Sequence, residues 1–281
     1  MYFKDIVGQK DVIGRLVQDA RQGTVPHALL LAGPEGTGKL QTAIAFARFL
    51  LCQGPAEDSC GHCPSCVKMD KLIHPDLHFV FPVINKGPSD NPTKSDDEIA
   101  TWRQFILDNR YFGFEDWLQE LDAGNKQAQI CTKESESIQS KLSLKSVEGG
   151  YKIMIIWHPE KMHQNCANAL LKLLEEPPAK TVFMLVTDTP ENVLETIVSR
   201  TQRIDFKRIP EQAIQEQLMG PGYGLEENQA RQIAHLSSGS WLKAMNALRI
   251  NAESEEFLDY FMQLMRMAYA RRIKDLKVWS D

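Results

Sequence analysis

The chain has 281 residues, 43% of them hydrophobic and 25% charged, with a formal net charge of −5. That is two domains or a little more of ordinary globular protein, and the acidic balance argues against a free-standing nucleic-acid binder while leaving DNA contact within a larger assembly open. No apolar run is long enough to span a membrane and Met1 to Gln9 carries no signal peptide, so a cytoplasmic protein is expected, whose six cysteines stay reduced and favour metal over disulfides.

Phe3 to Gln9 precedes a short amphipathic helix with Val12, Ile13, Leu16 and Val17 on one face. Pro26-His27 then breaks the chain ahead of a first strand, Ala28 to Ala32. Gly33-Pro-Glu-Gly36-Thr37-Gly38-Lys39 follows, and an amphipathic run from Gln41 to Cys52 follows that. Strand, glycine-rich turn and helix are the setting of a phosphate-binding P-loop, where backbone N–H groups converge on phosphate oxygens at a helix N-terminus. Gly33, Gly36, Thr37, Gly38 and Lys39 are the candidate nucleotide contacts, with Lys39 reaching the outer phosphates. An active loop continues with Ser or Thr, whose hydroxyl helps to hold Mg²⁺. Here that place is Leu40, which has no ligand oxygen. The scaffold therefore reads as a nucleotide site with damaged hydrolytic chemistry. A glycine turn with no ligand is the plainer alternative.

Cys52, Cys60, Cys63 and Cys66 come next. Two-residue gaps and a fourth cysteine upstream suit tetrahedral Zn²⁺ in a closed, structural site. Gly61 and Pro64 supply the tight turns between ligands, and His62 reads as solvent-facing.

Leu77 to Phe81 reads as the second strand. From about 85 to 127 the character changes. Gly87 to Ser95 is loop by composition, Ser95 to Glu98 resembles a capping box opening a helix through Trp102, Phe105 and Ile106, and a second helix is expected over Glu115 to Leu121. The aromatics Trp102, Phe105, Tyr111, Phe112, Phe114 and Trp117 form either a partner surface or, as such clusters more often do, a small core docked on the main body.

A helix is expected over Ile138 to Leu144, and Lys152 to Ile156 is a fully apolar strand of the parallel-sheet kind. In an active P-loop ATPase this strand ends in Asp, often followed by Glu, for Mg²⁺ and the attacking water. Trp157 and His158 stand there instead, and Glu160 lies too far past the strand end to be given that role. His158 is more simply a structural residue ahead of Pro159 than a general base. A helix carrying Met162, Cys166, Ala169, Leu170, Leu173 and Leu174 stops at Pro177-Pro178. Val182 to Thr187 and Arg203 to Phe206 are further strands. Beyond Pro210 the pattern is helical: Glu211 to Leu218, Glu226 to Leu236, Ser240 to Leu248 and Glu253 to Lys277. Alternating strands and helices imply an α/β fold with a parallel sheet covered on both faces.

Three stretches together resemble one family: Gly33 to Lys39 with the cysteine module behind it, Asn168 to Pro178 (NALLKLLEEPP), and Ser199-Arg200-Thr201. They are similar to the clamp-loader branch of the AAA+ ATPases, the bacterial DNA polymerase III gamma/tau and delta-prime subunits, over about 1–84 and 128–250. The resemblance implies a five-stranded parallel AAA+ sheet in 1–208, bearing a zinc module at 52–66 and an insertion at about 85–127. It also implies a helical lid at 209–250 and the start of a helical collar at 251–281. A family collar has about a hundred residues, the scale of an ordinary domain, so a shortened chain is expected. In the gamma-type motor the Lys is followed by Ser or Thr, the second metal motif carries Asp-Glu, and a sensor Arg follows later. The matching positions here are Leu40, Trp157-His158 and Leu242. Those losses resemble the non-hydrolysing delta-prime type, while an active gamma/tau-like motor is the alternative. Ser199-Arg200-Thr201 matches the family's Ser-Arg-Cys motif with Thr for Cys, which implies an arginine finger at Arg200 acting on a neighbouring subunit's ATP. The implied partners are gamma/tau, delta and the sliding clamp, with primed DNA reached through a ring-like pentamer of the polymerase holoenzyme. Whether ATP or ADP binds here without hydrolysis stays open.

Overall fold

The computed structural model describes residues 1–88, 91–148 and 150–250, together with Phe261, Met262 and Met265. The helix expected at Glu253 to Lys277, and with it the start of a collar, lies outside the described residues but for those three. Helix α1 (Lys10–Gln22) ends at Gly23, which takes the left-handed conformation. Strand β1 (Ala28–Ala32), helix α2 (Lys39–Leu51) and helix α3 (Pro64–Asp70) follow. Then come β2 (Leu77–Val80), β3 (Val83–Ile84), α4 (Ile99–Asp108), α5 (Phe114–Glu120), β4 (Ala128–Gln129) and α6 (Glu134–Ser143). The sheet resumes with β5 (Lys152–Trp157), α7 (Gln164–Glu175), β6 (Thr181–Thr187), α8 (Glu195–Val198) and β7 (Gln202–Asp205). Helices α9 (Glu211–Met219) and α10 (Glu227–Ser237) and a helical stretch at 241–250 complete the described chain.

Five strands form one parallel sheet in the order β2-β5-β6-β1-β7. β1 pairs with β6 on one side (Leu30 with Leu185) and β7 on the other (Leu30 with Arg203), so the expected α/β parallel sheet is present. Every residue of β1, β5 and β6 is buried, which is why these strands, Lys152, Thr181 and Thr187 at their ends apart, read as apolar runs rather than alternating ones. Their side chains still alternate between layers. Leu29, Leu31, Ile153, Ile155, Val182 and Met184 join α1, α2 and the aromatic residues of α4 and α5 in one core. Leu30, Met154, Ile156, Phe183 and Leu185 face α6, α7 and α8 in another. A third cluster, among Ile209, Ile214, Leu218, Ile233 and Trp241, holds the C-terminal helices together with Val7.

Several boundaries differ from the sequence reading. α2 begins at Lys39 and α6 at Glu134, both earlier than expected, and the antiparallel ribbon β3–β4 was not anticipated. Ser95 does not cap a helix with Glu98. Its hydroxyl donates to the Phe81 carbonyl at 3.1 Å and its amide to Glu134 at 2.9 Å, which ties the insertion to β2 and α6. The cap sits one residue earlier and is one-sided, with the Lys94 amide donating to Asp97 at 2.8 Å. The insertion's aromatics join the main core rather than forming a partner surface, except Tyr111, which packs with the C-terminal helices. Trp102 stacks on Phe81 with centroids 4.3 Å apart and lies 5.0 Å from Trp157, while Phe105 and Phe112 meet at 4.6 Å. Trp117 is fully buried and donates from Nε1 to the Pro82 carbonyl at 2.8 Å.

Because Trp102 bridges insertion and sheet, Trp102→Ala is expected to cost about 3–5 kcal/mol, the usual penalty for truncating a buried indole. Urea unfolding checks this. A cost below about 1 kcal/mol would mean that insertion and sheet pack independently.

Candidate functional site

The Gly33–Lys39 loop lies where β1 enters α2, at the C-terminal edge of the sheet. Gly36 turns through φ 74°, a left-handed conformation, and a side chain there would collide with Ser240 and Leu242. Thr37 Oγ1 donates to the Pro34 carbonyl at 2.8 Å. Lys39 Nζ donates to the same carbonyl at 2.6 Å and pairs with Asp188 Oδ1 at 2.6 Å. Lys39 is only 4% exposed. Burial lowers its pKa, an effect that Asp188, Glu35 and Glu160 partly offset. Leu40 is buried in the core.

Trp157 ends β5 with its indole buried among Trp102, Phe112 and Phe114. His158 follows in a left-handed conformation at φ 55°. Its Nδ1 lies 2.6 Å from Glu160 Oε1, and its Nε2 is 3.7 Å from Asp188, beyond hydrogen-bond reach. Glu160 also accepts from Thr187 Oγ1 at 2.9 Å and Thr189 Oγ1 at 3.3 Å. Burial alone would raise the Glu160 pKa, but the His158 hydrogen bond and charge outweigh it and hold the carboxyl below its ordinary value. The result is a clasp between β5 and β6 rather than an open carboxylate.

Segments distant in sequence close over the loop. The Trp241 amide donates to the Gly36 carbonyl at 2.9 Å. Gln9 Nε2 donates to the carbonyls of Thr37 at 3.2 Å and Lys207 at 2.8 Å. Gln41 Nε2 donates to the Arg110 carbonyl, and the Val7 amide reaches the Tyr111 hydroxyl at 3.4 Å. The space left beside Lys39, lined by Glu35, Gly38, Tyr111, Trp157 and Asp188, is about 20 Å³. That is room for about one water.

The four cysteines converge as their spacing predicts, with all four sulfurs within 4.8 Å of one another. Cys60 and Cys66 Sγ are 3.9 Å apart. That is close to the ~3.8 Å edge of a tetrahedron with ~2.3 Å metal–sulfur bonds. Backbone amides point at the sulfurs: Cys60 N to Cys52 at 3.3 Å, Cys63 N to Cys60 and Cys66 N to Cys63 at 3.4 Å each. The amides of His62 and Cys63 lower the Cys60 pKa to about 6, whereas burial pushes Cys66 up to about 12. Four soft donors with amide support fit a metal ion, so Cys52, Cys60, Cys63 and Cys66 are a set that could hold one. His62 is exposed, as expected, and lies 2.9 Å from the Cys60 carbonyl through Nδ1.

Arg200 sits just past α8, away from the cysteines. Its Nε and Nη2 both reach Glu175 Oε1, at 2.8 and 2.6 Å, and its Nη1 donates to the Thr196 carbonyl at 3.0 Å. At 36% exposed it is accessible. Leu242 is buried against Gly36, at the mouth of the loop.

Sequence reasoning passed over Asp188, Glu35 and the contact role of Tyr111, and set Glu160 aside as too distant. Asp188 had one usable signal, an acid directly after a buried strand beside a lysine loop. Tyr111 had none beyond its aromaticity.

The family model described as DNA polymerase III, delta subunit, matches residues 8–210. The chain belongs to that family. It is 29% identical over 211 residues to DNA polymerase III subunit delta' of Bacillus subtilis, covering 75% of this chain and 51% of that protein. It is 32% identical to subunit tau of the same organism, covering 75% of this chain and 30% of that one. The chain thus spans about half or less of the length of these relatives. Among solved structures, a variant of Thermotoga maritima RuvB aligns with a TM-score of 0.50 at 15% identity, over 86% of this chain and 61% of that one. The sheet order and this likeness make the fold that of an AAA+ P-loop protein. Among the described residues no helix is long and apolar enough to cross a membrane.

Protein purified without added metal should carry about one ion per chain, as one four-coordinate site requires, and Cys63→Ser should lose it. Elemental analysis checks both, and folded wild-type protein free of metal would remove the site.

Proposed function

We propose that the chain is a non-hydrolysing, delta-prime-type subunit of the DNA polymerase III clamp loader. It works beside gamma/tau and delta subunits to place the sliding clamp on primed DNA, and it offers Arg200 to ATP held by a neighbouring gamma-type subunit. The observation that carries the non-hydrolysing part is the burial of Leu40 and Trp157 as core side chains at the two places where an ATPase needs oxygen ligands. Without them no side chain at those places holds Mg²⁺ to neutralise charge in phosphoryl transfer. Gly33, Gly36, Thr37, Gly38 and Lys39 are then a P-loop scaffold kept for its shape. Residues 1–208 form the AAA+ domain, 209–250 its lid, and the metal at the four cysteines is structural Zn²⁺ in a module at 52–66.

Support for Arg200 comes from its accessible place at the domain edge after α8, in register with the family's Ser-Arg-Cys motif. Its pairing with Glu175 is a half-exposed ion pair, worth at most about 1 kcal/mol, which a phosphate oxygen can displace. The similarity to a tau subunit keeps an active motor as the second reading.

One set of assays separates them. With Mg²⁺ and ATP the isolated chain should show no turnover above that of Lys39→Ala; steady turnover lost in that variant favours the motor. In the assembled loader, Arg200→Ala should leave assembly intact and slow the clamp- and DNA-stimulated ATPase. At the site it serves the loss should approach the roughly 10³–10⁵ of known arginine fingers. Arg203→Ala, whose guanidinium pairs with Asp205 at 2.7 Å, is the control and should do little. Wild-type loader kinetics in Arg200→Ala would end the trans role.

A further inference from the structure

The insertion at about 85–127 is the stretch to which the family resemblance gives no role. We propose that it is an intramolecular stand-in for nucleotide, with Tyr111 occupying the cleft and joining core to lid. The proposal rests on reading Gly33–Lys39 as a nucleotide loop.

Tyr111 follows α4 and is held from three sides. The Val7 amide donates to its hydroxyl at 3.4 Å, and a Cβ at Gly38 would lie 3.4 Å from that same hydroxyl. Its ring meets Trp241 edge-on at 6.3 Å, and the Trp241 amide is the group bonded to the Gly36 carbonyl. The N-terminal segment and the C-terminal helices therefore meet this phenol, and Gly38 of the P-loop lines the same small space beside it. The preceding residue is fixed too, since the Arg110 carbonyl accepts from Gln41, a buried residue in the first turn of α2. Burial pushes the Tyr111 pKa up to about 12, so the ring stays neutral at physiological pH.

The cavities show what the ring separates. Tyr111 lines the space of about 20 Å³ at Lys39, a cleft of about 590 Å³ rimmed by Lys4, Arg110 and Arg249, and a third of about 340 Å³ beside Gln119 and Asn246. It is a wall common to all three. With the ring removed, the loop would open onto a cleft of nucleotide size whose rim carries three cations alongside Asp5 and Asp108. With it in place, a ligand binds only the fraction of molecules in which the wall has swung away, and apparent affinity falls by that fraction. The core–lid joint is then set by the chain itself, whatever nucleotide is present.

The test titrates a fluorescent N-methylanthraniloyl ADP, with and without Mg²⁺, into wild type, Tyr111→Ala and Tyr111→Phe. Wild type and Tyr111→Phe, which keeps the ring, should bind weakly. Tyr111→Ala should bind at least about tenfold more tightly, as expected if the open form is a tenth or less of wild type. Only Tyr111→Ala should show a Tm that rises with ADP. If Tyr111→Ala does not fold, Gln41→Ala, which frees the Arg110 carbonyl, should tighten binding in the same direction. Wild type binding the probe as tightly as the alanine variants overturns the proposal, as does a folded alanine variant that gains nothing. Turnover by wild type would instead sink the non-hydrolysing reading, whereas wild-type binding as tight as that of Tyr111→Ala, without turnover, sinks only the stand-in.

Discussion

Trp157 sets the constraint on which the rest of the site depends. It leaves the sheet at the C-terminal end of β5, where a hydrated, charged cleft would open in an ATP-hydrolysing relative, and an indole exposed there would leave a large apolar surface in water. An aromatic side chain buries about 150–250 Å², so at about 25 cal/mol per Å² the incentive to cover it is some 4–6 kcal/mol as an upper bound. The insertion provides that cover, with Trp102, Phe112 and Phe114 each within 6 Å of the Trp157 ring. On the proposed reading, the tryptophan in place of an acid and the insertion that covers it therefore go together. An acid at 157 could not sit among these rings without partners, and the rings could not pack against an open metal site.

Covering the cleft creates a second problem, the charge on Lys39. A buried ammonium without a phosphate or carboxylate beside it is strongly unfavourable, and the chain answers with Asp188 at 2.6 Å and the Pro34 carbonyl at 2.6 Å. Glu35 is nearby, but burial raises its pKa and so weakens it as a counter-charge. Glu160 is occupied by His158, Thr187 and Thr189. Lys39 thus holds the ends of β1 and β6 in register through their flanking loops, a structural use of a group that phosphates would otherwise engage.

What could be read from the sequence was local. The three central strands, β1, β5 and β6, announced themselves as mainly apolar runs because a sheet covered on both faces buries every position of its interior strands, whereas the edge strand β7 has only Ile204 buried. The glycine loop and the cysteines were visible because their chemistry depends on close spacing. Tyr111 was not, since it matters only through segments that the fold brings together from far apart, and Asp188, with a single weak signal, meets Lys39 only in the folded chain. β3 and β4 were missed for a simpler reason: strands of two residues are too short to show a period. Ser95 misled because a capping pattern and a buried serine tied to two neighbouring elements look the same in one dimension.

The same physics gives the proposed division of labour a structural basis. Here the C-terminal helices are tied to the nucleotide loop by the chain's own groups, the Trp241 amide on the Gly36 carbonyl at 2.9 Å, while Gln9 holds Thr37 and Lys207 beneath it. Helix α7, whose last residue is Glu175, packs on the opposite face of the sheet from the aromatic cluster. Arg200 is thereby referenced to the rigid parallel sheet and not to the closed cleft. A stabilising guanidinium is useful only when its position varies little relative to the reacting phosphate, and misplacement of about 1 Å can cost around a hundredfold in rate. On the proposed reading, attachment to the sheet, whatever the state of the cleft, is what keeps the frame of Arg200 constant for a neighbour that does the chemistry.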